Sequence, residues 1–236
     1  MKNKILQVNQ ILIKKFGIPK RNKKLPKPVD MIVATILSQN TNDKNSYKAF
    51  QRLKKDFPNW RKAAEAKRTK IENSIRIAGL GKQKSTSIKN LLNSLLSQKG
   101  KISLDHLKKE NNEDALKDLT NYKGVGIKTA SCVLLFSLDR NVCPVDTHVH
   151  RTLNRIGLTD TKTPEKTFIA INKKFPEGIA HQFHTNLIRL GREICKPAKP
   201  SCSICPLIKV CSYKDKNLSQ DTIYKENSFM LLDNIN

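Results

Sequence analysis

The sequence predicts an all-α protein, and three observations carry that prediction. Apolar residues recur at three- and four-residue spacing along most of the chain, no stretch sustains period-two alternation, and the stripes stop at proline or glycine. The first stripe, Met31, Ile32, Ile36 and Leu37, follows Pro28, with Asp30 as its expected cap. Tyr47, Phe50, Leu53 and Phe57 form a second, halted by Pro58, and Ile88, Leu91, Leu92, Leu95 and Leu96 a third that ends at Gly100. Ala115, Leu116 and Leu119 lead into a glycine turn, and Ala130, Val133, Leu134 and Leu138 follow it. Val149, Leu153 and Ile156 stop at Gly157; Phe168, Ile171 and Phe175 stop at Pro176; Phe183, Leu187 and Leu190 close at Gly191. All of these are read as core.

The 236 residues suffice for one large domain or two small ones. Lys and Arg number 45 against 20 Asp and Glu, a formal charge of +25. Such an excess gathers polyanions, nucleic acid above all, with an anionic membrane surface as the competitor. No apolar run reaches the roughly 18 residues a membrane span needs. The N-terminus lacks the apolar run and small-residue cleavage site of a secretory signal, and its lysine-rich character argues against a transit peptide. Residues 1–28 carry nine basic groups and no acidic one, which reads as a solvated lysine-rich segment or as a direct phosphate contact. Residues 216–236 form a polar tail, expected to be flexible.

The stretch Asn121–Ala130, NYKGVGIKTA, looks at first like a nucleotide loop. Ile127 separates Gly126 from Lys128, so a phosphate-binding P-loop fails, and Thr129 stands where a dinucleotide fingerprint wants a third glycine or alanine. What remains is helix, tight Gly-Val-Gly turn, helix. Such a turn aims backbone N–H groups outward at the start of the second helix, where Gly124 and Gly126 would let a DNA phosphate approach. An ordinary helical hairpin would use the same glycines for turn geometry alone. Lys128 distinguishes the two: a cation at a helix N-terminus faces the positive end of the dipole, which disfavours its charged form and favours a nucleophilic amine.

Eighteen residues on, PVDTHVHR places Asp146 at the start of the next helical stripe. Asp146 reads as a helix cap, or as a carboxylate that takes up a proton or stabilises a developing sugar cation. His148 and His150 lack a third metal ligand at suitable spacing, so core or phosphate contacts are assigned to them. Cys195, Cys202, Cys205 and Cys211 are separated by six, two and five residues. A zinc ribbon pairs two Cys-x2-Cys knuckles and this stretch has one, which favours an iron–sulfur cubane over zinc. Cys132 and Cys143 read as buried thiols without a catalytic role.

GVGIKTA, VDTH and Cys-x6-Cys-x2-Cys-x5-Cys, in that order, resemble the endonuclease III family of helix-hairpin-helix DNA repair glycosylases over roughly residues 5–215. The resemblance implies two helical domains with a cleft between them. One is a six-helix domain over 27–140 with the helix-hairpin-helix; the other joins 1–26 to 141–215 and carries a [4Fe-4S] cluster on the four cysteines. It implies a monomer acting on damaged double-stranded DNA in the cytoplasm, in association with the nucleoid. Lys128 would attack C1′ of a damaged, oxidised pyrimidine nucleoside and form a Schiff base, after which β-elimination cuts the strand; Asp146 would assist. Gln39 or Asn40, in ILSQNTND, would fill the gap left by the flipped nucleotide, and Leu80, in AGLGKQKS, would wedge the opposite strand. Gly124, Gly126 and His148 would contact the backbone. The sequence departs from the family's usual pattern at Tyr122-Lys123, where Leu-Pro is common, and at Gln39-Asn40. A monofunctional mismatch or adenine glycosylase of the same fold lacks the lysine found at 128. A non-catalytic metal-stabilised DNA-binding module would need neither Lys128 nor Asp146.

Overall fold

The computed structural model describes residues 1–219; most of the 216–236 tail lies outside the described residues. Among the described residues there are α-helices and short 3-10 turns and no strands. None of those helices is long and apolar enough to cross a membrane. The described residues divide into two compact units, Asn22–Asp139 and a second built from Met1–Arg21 with residues 140–219.

The Asn22–Asp139 unit begins with α2 (Pro28–Ser38), preceded in the chain by α1 of the other unit (Lys2–Phe16). Pro28 occupies the first position of α2, where the missing N–H costs nothing. Asp30 is not the cap the sequence predicts: Lys27 holds that position without a side-chain bond. Asp30 sits in the first turn instead, where its carboxylate accepts from Trp60 Nε1 at 2.8 Å and Lys54 Nζ at 3.1 Å. Three helices start on asparagine caps: Asn42 accepts from Asn45 N at 2.8 Å to open α3 (Asp43–Asp56), Asn59 from Lys62 N at 2.9 Å to open α4 (Trp60–Glu65), and Asn111 from Asp114 N at 2.9 Å to open the helix Asn112–Thr120. Then follow α5 (Arg68–Ile75), a 3-10 turn over Arg76–Ala78, and the long α6 (Gly81–Lys99). After α7 (Asn112–Thr120), α8 (Ile127–Leu138) packs against both α2 and α7. Residues Met31–Leu37 of α2 and Thr129–Ser137 of α8 are almost all buried, so this pair forms the centre of the unit. Among the described residues this unit holds seven α-helices, counting the six-residue α4.

The other unit contains α1, α9 (Thr147–Ile156), α10 (Pro164–Asn172) and α11 (Ala180–Glu193). The lysine-rich N-terminal segment is structured. Ile5, Val8 and Leu12 bury one face of α1 against α11, and the lysines stay on the other. Lys4 Nζ donates to the carbonyls of Ile156 and Gly157 at 2.9 and 3.2 Å, satisfying the C-terminus of α9. Two predicted boundaries move. Phe175 lies beyond α10, buried in the following turn with its ring 5.6 Å from that of Phe183. Gly191 does not close α11 but sits inside it: a Cβ there would lie 2.9 Å from His148 Cβ, so glycine lets α9 and α11 approach this closely.

Candidate functional site

In the Asn22–Asp139 unit the hairpin is a tight loop between α7 and α8. Val125 N donates to Tyr122 O at 2.9 Å, and Gly124 adopts φ 90°, a conformation that excludes most side chains. The turn keeps Tyr122 and Lys123 in place of leucine and proline; Tyr122 is buried beneath it and Lys123 is exposed. Gly126 has an ordinary extended conformation and is the N-cap of α8, giving that helix no side-chain cap. The first N–H groups of α8 are therefore left for an external acceptor. Lys128 is the second residue of α8 and half-buried. Within its unit, among the described residues, its amine has no hydrogen-bond or ion-pair partner. The other buried or half-buried lysines among the described residues all have partners: Lys84, Lys89, Lys4 and Lys216 donate to backbone carbonyls, and Lys54 and Lys99 to the carboxylates of Asp30 and Asp118.

Two further loops of this unit carry the other predicted contacts. Gln39 and Asn40 are exposed in the turn after α2, with Asn40 in the left-handed conformation at φ 48°. Leu80 is 49% exposed and also left-handed, at φ 50° and ψ 36°, just before α6. An exposed leucine in that region combines an apolar surface cost with a backbone conformation that costs free energy. Leu80, Gly124, Lys82 and Lys123 line one concavity of about 860 Å³, so the Leu80 loop and the hairpin share a basic surface.

In the other unit Asp146 is the N-cap of α9, accepting from Val149 N at 2.8 Å. His148, half-buried on the first turn, stacks its Cβ against Gly191. Burial is the main cause that lowers its pKa, with Arg192 and Arg151 adding to it and Asp146 opposing. Cys195, Cys202, Cys205 and Cys211 are half-buried and unpaired by disulfides. Burial pushes the Cys205 thiol up to about 12, and the charges of Cys195, Cys211 and Cys202 add to the effect. Two arginines of α9 support the loop. Arg151 donates to Cys195 O at 3.0 Å, and Arg155 to Cys195 Sγ at 3.5 Å and Lys196 O at 2.7 Å. Cys202 N donates to Asn217 O at 3.1 Å, so the chain after the last cysteine returns to the loop.

The donor set fits an iron–sulfur cluster. Four thiols with arginine N–H donors beside them suit an anionic thiolate-bound centre. Among the described residues, one group of His, Cys, Asp or Glu ligand atoms lies within 4.8 Å of one another: His106, Glu110 and Asp118.

Sequence reasoning missed Lys84, Arg151 and Arg155. Position 84 lies four residues before Ile88 and seven before Leu91, on the apolar stripe of its helix, and a lysine there is the one signal that was present.

Fold and residues together define a helix-hairpin-helix DNA repair protein: the HhH-GPD superfamily base excision DNA repair model matches residues 33–177. Endonuclease III of Thermotoga maritima is 33% identical over 202 residues, covering 86% of this chain and 89% of that protein. An Arabidopsis thaliana protein named as a DNA glycosylase is 38% identical over 190 residues; this chain covers 65% of its length and the match 76% of this chain. Among solved structures, a non-covalent endonuclease III–DNA complex has a TM-score of 0.75 at 25% identity, covering 90% of this chain and 95% of that one. The chain belongs to the HhH-GPD superfamily of base excision repair proteins, and within it to the endonuclease III-like DNA glycosylases.

Proposed function

We propose that the protein is a bifunctional DNA glycosylase and abasic-site lyase that acts, as a monomer, on oxidised pyrimidines in duplex DNA. The observation that carries this reading is Lys128, a half-buried amine without a partner in its unit, two residues after the glycine that caps α8. Gly124, Gly126 and the N-terminus of α8 hold one backbone phosphate, and the charge of +25 supplies the sequence-independent grip. Gln39 or Asn40 and Leu80 occupy the space opened when the damaged nucleotide leaves the stack.

In this mechanism the free amine of Lys128 attacks C1′ as the C1′–N bond breaks, and the departing base takes the bonding pair and a proton. The ring opens to a Schiff base between Lys128 and C1′. Loss of a C2′ proton then expels the 3′ phosphate, and water releases the lysine. Asp146 takes up the lysine's proton and offsets positive charge on the sugar. Cys195, Cys202, Cys205 and Cys211 would hold a [4Fe-4S] cluster, which supplies a rigid cross-link for the loop and no reacting atom.

Borohydride trapping on duplex DNA bearing an oxidised pyrimidine or an abasic site tests this directly. Wild type is expected to give a covalent adduct and Lys128→Ala none. Wild type that releases the base without a trapped adduct would show water to be the nucleophile, and an adduct with Lys128→Ala would move the role to another amine. Iron content near four per chain with broad visible absorption is expected of purified protein, and zinc in its place would remove the cluster.

A further inference from the structure

Among the described residues, a lysine is one of the largest fully buried side chains. Lys84, on α6, is 2% exposed, and its ammonium donates to Leu37 O and to Ala78 O, both at 2.8 Å. Leu37 is two residues before Gln39 and three before Asn40; Ala78 is two before Leu80. The Lys84 backbone N–H also donates to Leu80 O at 3.0 Å.

These positions share one property. Each held carbonyl lies two or three residues upstream of a non-glycine residue in the left-handed conformation, Asn40 at φ 48° and Leu80 at φ 50°. Such conformations cost free energy and persist only where neighbouring structure holds them. A point charge with three donors on a flexible stem can serve carbonyls from two segments at once, which a neutral apolar residue on that stripe cannot. An ammonium at the C-terminus of α2 also meets the negative end of that helix dipole. Burial alone pulls the Lys84 pKa below the ordinary lysine range, so the site is held at a cost in desolvation. Leucine at 84 would extend the stripe of Ile88 and Leu91 without that cost.

We propose that Lys84 is a positioning residue that ties together the two loops carrying Gln39–Asn40 and Leu80, so that both enter the base stack in fixed register. This rests on the reading that those loops fill the space left by the flipped nucleotide. Lys84 touches no DNA. It acts on how well the protein distinguishes a disrupted duplex from an intact one, because intact duplex needs only the phosphate grip.

The test is competition binding of the full-length, cluster-loaded protein to two duplexes, one with a tetrahydrofuran abasic analogue and one undamaged, at one salt concentration. Lys84→Met is expected to lower the preference for the abasic duplex by about tenfold while affinity for undamaged duplex stays within twofold. Leu80→Ala is expected to lower it similarly, and the double variant to be no worse than the more affected single. Should Lys84→Met fail to fold, Lys84→Gln keeps one donor for one carbonyl, and a smaller loss of preference is expected of it. If Leu80→Ala loses preference while the folded Lys84 variants keep it, Lys84 only stabilises the fold and the proposal is overturned. If Leu80→Ala also keeps full preference, the reading of the loops themselves falls.

Discussion

Tyr122 stands where the family commonly has leucine, directly under the hairpin turn, and its replacement by phenylalanine has a calculable effect. The residue is 3% exposed and, among the described residues, its hydroxyl has no hydrogen-bond partner. A buried polar group in that condition forfeits about 1–3 kcal/mol of lost hydration, so Tyr122→Phe should stabilise the protein by about 1 kcal/mol at neutral pH. A second signature appears in alkali. Burial first, then the carboxylates of Asp118 and Glu110, pushes the phenol up to about 12 from its ordinary 10.0. A raised native pKa means the folded chain retains a proton that the unfolded chain releases. This contribution is therefore intact below about pH 10 and drains away as pH climbs towards 12. The advantage of phenylalanine should grow by about 0.4 kcal/mol at pH 10 and about 1.4 kcal/mol at pH 11. Denaturant melts of both proteins at pH 7, 10 and 11 measure the difference, in which the many lysines cancel. A less stable Phe variant at pH 7, or a difference that stays flat to pH 11, would refute the reasoning.

Two further outcomes follow from packing. Gly191→Ala places a methyl 2.9 Å from His148 Cβ and 3.4 Å from its backbone, so it should destabilise the α9–α11 contact by about 1–3 kcal/mol, read as a lower thermal midpoint. Asp30→Ala removes the acceptor for Trp60 Nε1 and Lys54; a loss of about 1–3 kcal/mol and a shifted emission of the chain's single tryptophan are expected.

The stripes that sequence periodicity exposed became helices because burial has the helical period wherever one face meets the core, as with Ile88, Leu91, Leu92 and Leu95 on α6. What misled was punctuation. Gly191 and Pro176 look like stops, but a glycine can also mark the place where two helix backbones come closest, which depends on His148 forty-three residues away. Asp30 looks like a cap because the residue type suits one; its real partners, Lys54 and Trp60, are fixed only by tertiary structure. The motif residues were legible as a set because their chemistry is local: glycine for φ 90°, four thiols in one loop, a cation at the wrong end of a helix. Lys84 was not, since a lone lysine in a chain with 45 Lys and Arg looks like surface until its carbonyls are seen.

The packing of α1 on α11 has a consequence during synthesis. Ile5, Val8 and Leu12 emerge before the helix that covers them, Ala180–Glu193, which follows roughly 170 residues later, on the order of ten to thirty seconds at ordinary translation rates. Asn22–Asp139 emerges whole in between and can fold while the apolar face of α1 is still bare. That face must be shielded by other means until Asn186 and Arg189 arrive to donate to the carbonyls of Gly17 and Phe16, at 3.0 and 3.3 Å. The cysteine loop, residues 195–211, is made later still, after both α1 and the helix that covers it.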